Sequence, residues 1–144
     1  AARRAGGVLM GMAARAEDVP MSVPKIVLVA EAAGFTDLSG QMHEADTIDI
    51  IARAISMEQA HRALPLTLSM CLACACKIPG SVAHGMARQT SADADVRLGS
   101  PSGVIVAGAD VVPADQPGGW SVKSCRVVRT QRRLMDGDVL VSPS

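Results

Sequence analysis

The sequence has 144 residues, 49% of them hydrophobic, and its 14 basic side chains are balanced by 14 acidic ones. This length suits one domain with its own core and is short for two. A neutral chain has no overall field that favours nucleic acid or an anionic membrane, and one Phe, one Trp and no Tyr offer little for base stacking. It contains no apolar run that could span a bilayer and no signal peptide, so we expect a cytoplasmic protein without nucleic-acid or membrane partners.

The N-terminal part of the chain predicts one helix and two strands. Residues 1–16 are expected to form a helix weakened by its glycines, and a connector punctuated by prolines reaches residue 24. The β-branched apolar run at residues 25–30 predicts a buried strand, and residues 31–45 a loop. Residues 47–57 fit both periodicities, since their apolar side chains alternate as in a strand but also recur at helical spacing. Their richness in isoleucine favours the strand.

The most informative segment is a polar stretch at residues 61–65 followed by a short helix predicted over residues 66–77. The helix is apolar on every face, which predicts that it is buried and that its N-terminus opens inside the protein. The N–H groups of a first helical turn lack partners and lie at the positive end of the helix dipole, which suits a carboxylate or phosphate. The alternative is a core helix whose first turn is capped by Thr67.

Three of the four cysteines, Cys71, Cys74 and Cys76, fall within this helix, and Cys125 lies far along the chain. Cys71-x-x-Cys74 could be half of a zinc site or a redox motif, but no second pair follows and the histidines are scattered. We therefore expect small buried residues with reduced thiols and no metal.

Beyond residue 80, short apolar runs separated by Gly, Pro and Ser predict strands. The runs lie at residues 95–98, 103–107, 109–112 and 121–130. Asp136-Gly137 is typical of a hairpin turn, and residues 138–142 would return as the last strand. The prediction is a β-rich domain around one internal helix.

Several sequence blocks then occur in a fixed order. They are His61-Arg-Ala-Leu-Pro-Leu-Thr67, Ile78-Pro-Gly80, Pro101-Ser-Gly-Val-Ile105 and Val128-Arg-Thr-Gln-Arg-Arg-Leu-Met-Asp-Gly-Asp-Val139, with Pro24-Lys25-Ile26 and Ser56-Met57 before them. This series resembles the PrpF family, which contains 2-methylaconitate cis-trans isomerases, methylitaconate isomerases and 4-oxalomesaconate tautomerases. The resemblance runs from about residue 24 to residue 141, so it covers most of the chain.

The resemblance implies an α+β, diaminopimelate epimerase-like fold, in which a β-sheet curls around one central apolar helix. Such proteins have two similar domains with the active site between them. Residues 24–144 would then be the second domain, and residues 1–23 an N-terminal helix and connector. We therefore expect an incomplete cleft, completed by a missing N-terminal domain or partly covered in a homo-oligomer.

The chemistry that the resemblance implies is a proton shift beside a carboxylate of a small unsaturated polycarboxylate, without cofactor or metal. A cysteine and a lysine of the first domain would carry it, so no residue of this chain is predicted to be catalytic. The residues expected to bind substrate are His61, Arg62, Thr67, Ser69, Ser100, Ser102 and Gly103.

Two positions depart from the family pattern. Leu68 stands where members usually have glycine after the threonine, and Ser100 stands where they usually have histidine. A glycine there would allow a closer approach of a carboxylate to the backbone. These departures support an alternative function, a non-catalytic remnant that folds or self-associates and binds a carboxylate at most.

Overall fold

The computed structural model of the chain describes residues 1–88, 91–115, 117–128 and 133–138. Its helices are α1 (Ala2–Leu9), α2 (Leu66–Cys76) and α3 (Val82–Met86), with 3-10 turns at Ala16–Asp18 and Ala45–Thr47. Its strands are β1 (Ile26–Glu31), β2 (Phe35–Thr36), β3 (Met42–His43), β4 (Ile50–Ser56), β5 (Gln59–Ala60), β6 (Val96–Ser100), β7 (Gly103–Pro113) and β8 (Trp120–Val127). No helix within these ranges is long and apolar enough to cross a membrane.

Six of the strands form one sheet in the order β1-β4-β6-β7-β8, with β5 beside the end of β4. Neighbours run antiparallel except β4 and β6, which are parallel and pair Ile50 with Leu98. Parallel strands need a long connection, and here α2 and α3 lie within it. β2 and β3 form a small separate hairpin. The architecture is α+β, as expected.

The ambiguous segment before residue 57 is the strand β4. Ile48, Ile50, Ala52 and Ala54 are each at most 1% exposed, whereas Arg53 between them is exposed. This period of two is that of a strand with one face on the core. The prediction of a strand over a helix is therefore confirmed.

Helix α2 packs on one side of the sheet. Its inward face is buried among core side chains of β4, β6 and β7, and consists of Ser69, Leu72, Ala73 and Cys76. Its outer face is open among the described residues, since Leu66 is 37% exposed and Cys71 is exposed. The prediction that this helix is buried on every side is therefore wrong for the described part of the chain, because the sheet covers one side of it.

Three other segments differ from expectation. Residues 31–45 contain the β2–β3 hairpin instead of a continuous loop. The two runs predicted at 103–107 and 109–112 are one strand, β7, because Gly108 continues the ladder opposite Arg126. Helix α3 was not predicted, although its signal is present: the Ser81 hydroxyl accepts the His84 N–H at 3.0 Å as an N-cap.

The predicted C-terminal hairpin is not found in the described residues. Residues 133–138 form no helix, strand or turn, so the turn expected at Asp136-Gly137 is wrong there. The strand predicted for residues 138–142 falls, beyond Asp138, outside the described residues.

The carboxylate of Asp49, directly before β4, is fully buried and bound by Arg97 of β6. Its Oδ1 accepts from Arg97 Nη2 at 2.7 Å, and its Oδ2 accepts from Arg97 Nε at 3.1 Å and from the Arg97 backbone N–H at 2.7 Å. Burial raises the pKa of Asp49, but the hydrogen bonds and positive charge of Arg97 prevail and hold this pKa below its usual value. The pair therefore fixes the register of β6 against β4.

We predict that Asp49→Asn lowers the free energy of unfolding by about 2–4 kcal/mol, because it leaves the Arg97 guanidinium without its anion. Urea unfolding at pH 7 measures this. Asp46→Asn is the matched control, since the Asp46 side chain is exposed and its backbone carbonyl accepts from Arg97, so that its carboxylate adds only a charge interaction without a hydrogen bond. Equal stability of the two variants would contradict the prediction.

The Asp49–Arg97 pair also makes the free energy of unfolding depend on pH. Because the folded-state pKa of Asp49 is lowered, the unfolded chain takes up this proton first as the pH falls. The stabilisation is present above the unfolded pKa of about 3.9 and is lost as the pH falls further toward the folded pKa. Urea titrations from pH 7 to pH 3 should therefore show a smaller loss of stability below pH 4 in Asp49→Asn than in the unmodified chain.

Candidate functional site

A cleft of about 500 Å³ lies at the N-terminal end of α2, between the segment that enters the helix and strand β7. Its walls are mostly apolar, with two hydroxyl side chains. The lining residues are Ala63, Leu64, Leu66, Ser69, Ser102, Val104, Ile105, Val106 and Val128. This is the location predicted for a ligand. The sequence did not identify the aliphatic residues of β7 as part of it, because their pattern is that of any β-strand.

The first turn of α2 has no side-chain cap. The N-cap residue is Pro65, which carries no side-chain oxygen, and no cap hydrogen bond forms. The N–H groups of Leu66, Thr67 and Leu68 have no partner inside the helix, where intrahelical bonds begin with Ser69 N–H to the Pro65 carbonyl. The alternative that Thr67 caps the helix is therefore wrong. Thr67 is an exposed residue of the first turn.

The other predicted hydroxyl groups already donate within the protein. Ser69 is fully buried and donates to the Pro65 carbonyl at 3.1 Å, so it closes the cleft wall. Ser102 donates to the Arg62 carbonyl at 2.8 Å and so ties the turn before β7 to the segment that enters α2. The Arg62 side chain is exposed, and the residue that follows it, Ala63, lines the cleft. His61 is half-buried, and its backbone N–H donates to the Ala54 carbonyl at 2.8 Å.

Two residues whose identity departs from the family pattern lie off the cleft. Leu68 packs partly against the core and is not among the lining residues. Ser100 is buried, donates to the Gly103 carbonyl at 3.0 Å, and lines a neighbouring cavity beside Phe35. The structure thus brings Ser69 and Ser102 into the cleft wall, places Arg62 next to it through the Ser102 hydrogen bond, and leaves Ser100 behind it.

A largely buried hydrogen bond between His43 and Asp37 supports the turn before β7. His43 Nε2 lies 2.8 Å from Asp37 Oδ2, and the His43 ring stacks on Phe35. Hydrogen bonds from the side chains of His43 and Ser39 hold the pKa of Asp37 well below its usual range. Gly103 sits against this pair with a φ of 103°, and a Cβ there would lie 3.4 Å from Asp37 Oδ2.

A second cavity, of about 220 Å³, lies at the other end of α2 between Cys76 and Asp110. Among its polar groups, Lys77 serves the fold, since its Nζ donates to the carbonyls of Ser91 and Ala94 at 2.8 and 2.7 Å. No group of three or more metal-binding side chains is found among the described residues.

We predict that Gly103→Ala lowers the free energy of unfolding by about 1–3 kcal/mol, because a side chain at this positive φ is strained, although its Cβ would meet Asp37 only at an ordinary contact distance of 3.4 Å. Gly40→Ala is the matched control, since Gly40 also has a positive φ, of 89°, but nothing lies within 4 Å of its Cβ position. Urea unfolding of both variants compares them. Similar losses are expected, since both positions have a positive φ and neither Cβ would be crowded, and a Gly103→Ala variant as stable as the unmodified chain would contradict the prediction.

Comparison with known proteins gives consistent matches. The family model described as PrpF protein matches residues 1–142. The 2-methyl-aconitate isomerase of Cupriavidus necator is 32% identical over 138 residues, which are 94% of this chain and 34% of that protein. The 3-methylitaconate isomerase of Eubacterium barkeri is 32% identical over 138 residues, 93% of this chain and 35% of that protein. The crystal structure of a methylitaconate-delta-isomerase superposes with a TM-score of 0.72 and 26% identity over 89% of this chain and 34% of that one.

The chain therefore spans about a third of the length of the curated relatives it matches. The structural match confirms the diaminopimelate epimerase-like, α+β fold with a curled sheet against a central helix. The sequence blocks, the fold and the family match agree, and the chain belongs to the PrpF family.

Proposed function

We propose that this chain supplies one wall of the active-site cleft of an isomerase that shifts a proton within a small unsaturated polycarboxylate, such as 2-methylaconitate. The observation that carries this proposal is the uncapped first turn of α2, which opens at the cleft. Its matched relatives are named as isomerases of 2-methyl-aconitate and 3-methylitaconate, substrates that carry carboxylates.

In this proposal one substrate carboxylate binds at the start of α2. It accepts from unpaired N–H groups of the first turn, beginning with the lining residue Leu66, and from the Thr67 hydroxyl, in the favourable field of the helix N-terminus. The Arg62 guanidinium at the rim supplies a charged, bidentate contact, and His61 is a further rim donor. The hydrophobic part of the substrate packs on the aliphatic residues of β7.

The remaining predicted residues shape the site. Ser102 holds the Arg62 backbone in place, and Gly103 allows the turn to pass close to the Asp37–His43 pair. Ser69 closes the wall beside the helix, and Ser100 supports the turn from behind.

Removal of a proton from carbon needs a general base close to the substrate. None of the described side chains that line the cleft is titratable. We propose that the acid and base groups come from residues other than these walls, and that the 144 residues bind substrate without converting it. Three expectations from the sequence remain predictions. They are catalysis without a cofactor, a cytoplasmic location, and completion of the cleft by a further domain or a second copy.

Calorimetric titration of the purified chain with 2-methylaconitate tests the binding site. We expect Arg62→Ala to weaken binding about 10- to 100-fold, because it removes a charge-assisted contact worth about 1.5–3 kcal/mol. Arg15→Ala is the matched control, since the exposed Arg15 pairs with Glu17 and Asp18 in the N-terminal connector. That variant should bind like the unmodified chain.

Equal losses in the two arginine variants would indicate general attraction between charges and would contradict the site. A folded chain that binds no polycarboxylate would favour the non-catalytic alternative. Isomerisation by the 144 residues, followed by proton NMR, would contradict the statement that the base lies elsewhere.

A further inference from the structure

Two cysteines far apart in the sequence touch across the interface between α2 and β8. The Sγ atoms of Cys74 and Cys125 lie 3.5 Å apart, although 51 positions separate the residues. Strand register places Cys125 there: it pairs with Ala109 of β7, which is buried on the side of the sheet that packs against α2. The next pair along this face is Ala107 with Val127, which also packs on the core.

The remaining cysteines are placed differently. Cys71 lies one turn before Cys74 but is exposed on the open side of α2, and Cys76 is buried in the core. All four are free thiols. The expectation that Cys71 and Cys74 are small buried residues is wrong for Cys71, which is exposed, and the thiol that contacts Cys74 comes from β8.

We propose that Cys74 and Cys125 are an oxidisable thiol pair, which a hydroperoxide converts to a disulfide that links α2 to β8. A disulfide has an S–S distance of ~2 Å, so the two sulfurs need to approach by roughly 1.5 Å. Cys125 is exposed and Cys74 is half-buried, so rotation of the exposed side chain can supply much of this movement.

The two sulfurs take different parts in the reaction. Cys125 is accessible to the oxidant, whereas burial, followed by the contact with Cys125, raises the pKa of the Cys74 thiol to about 12. Cys74 therefore stays protonated and is shielded until its neighbour has reacted. Burial also raises the pKa of Cys76 to about 11, which makes Cys76 unreactive.

The step balances with hydrogen peroxide as the oxidant. The Cys125 sulfur attacks one peroxide oxygen, the O–O bond breaks, and the leaving hydroxide takes up the thiol proton as water. The Cys74 sulfur then attacks the sulfenic sulfur of Cys125; the S–S bond forms, the S–O bond breaks, and the Cys74 proton leaves with that oxygen as a second water. Two thiols and one peroxide give one disulfide and two waters, and a dithiol reductant reverses the reaction.

The disulfide would fix the end of β8 against the helix. Val128, which lines the cleft, follows three positions after Cys125. A link across 51 positions also restricts the unfolded chain. We therefore expect oxidation to raise the melting temperature by roughly 5–10 °C and to keep Val128 in place at the cleft.

The experiment treats the purified 144-residue chain with hydrogen peroxide and follows free thiols, intact mass and tryptic peptides. We expect the loss of two of the four thiols, a mass lower by two hydrogens, and a link between the peptides of residues 63–77 and 124–126. Dithiothreitol should restore the thiols and lower the melting temperature again.

Cys125→Ser is the decisive variant, because its exposed position does not disturb the core, and it should abolish both the link and the shift in melting temperature. Cys71→Ser is the matched control on the same helix and the same peptide, and should leave both unchanged. A link from Cys71, dimers joined between chains, or oxidation of Cys125 to sulfinic acid without a link would overturn the proposal.

Discussion

The buried pair of Asp49 and Arg97 is the interaction on which the rest of the structure depends. It stands at the parallel contact of β4 with β6, where the register pairs Ile50 with Leu98 and Ile51 with Gly99. On one side of this contact the sheet continues into β1, and on the other into β7 and β8. A carboxylate without exposed surface is stable there only because its oxygens accept three hydrogen bonds from one arginine. A shift of β6 by one residue would break these bonds and turn Leu98 out of the core.

The position of the cleft follows from this contact. Since β4 and β6 run parallel, the chain must return through a crossover, and α2 lies on the sheet within it. The start of α2 is thereby brought beside the turn between β6 and β7, where Ser102 binds the Arg62 carbonyl. Two segments 40 positions apart in sequence meet at this hydrogen bond, which holds the segment that enters α2 against the turn before β7.

The sequence predicted those features that depend on local patterning. Alternation identified β4, continuous apolar character identified α2, and the order of the sequence blocks identified the family. It failed where the outcome depends on distant neighbours. How far the sheet curls decides whether both faces of α2 are covered. The register of β8 decides which thiol contacts Cys74. The hydroxyl groups of Ser69 and Ser102 read as ligand donors, but nearby carbonyls accept from them.

The two ends of α2 differ in a way that bears on function. At its C-terminal end the helix is closed: the Ser81 hydroxyl donates to the Ala75 carbonyl at 2.6 Å, and the N–H groups of Lys77 and Ile78 bond to the last turn. At its N-terminal end Pro65 provides no cap. Leu66 and Thr67 of this turn are exposed, so their N–H groups are open to solvent or to a ligand at the positive end of the helix dipole. A side-chain cap would occupy these donors, and its absence at Pro65 leaves them available to the carboxylate that the proposed function places at this end of the cleft.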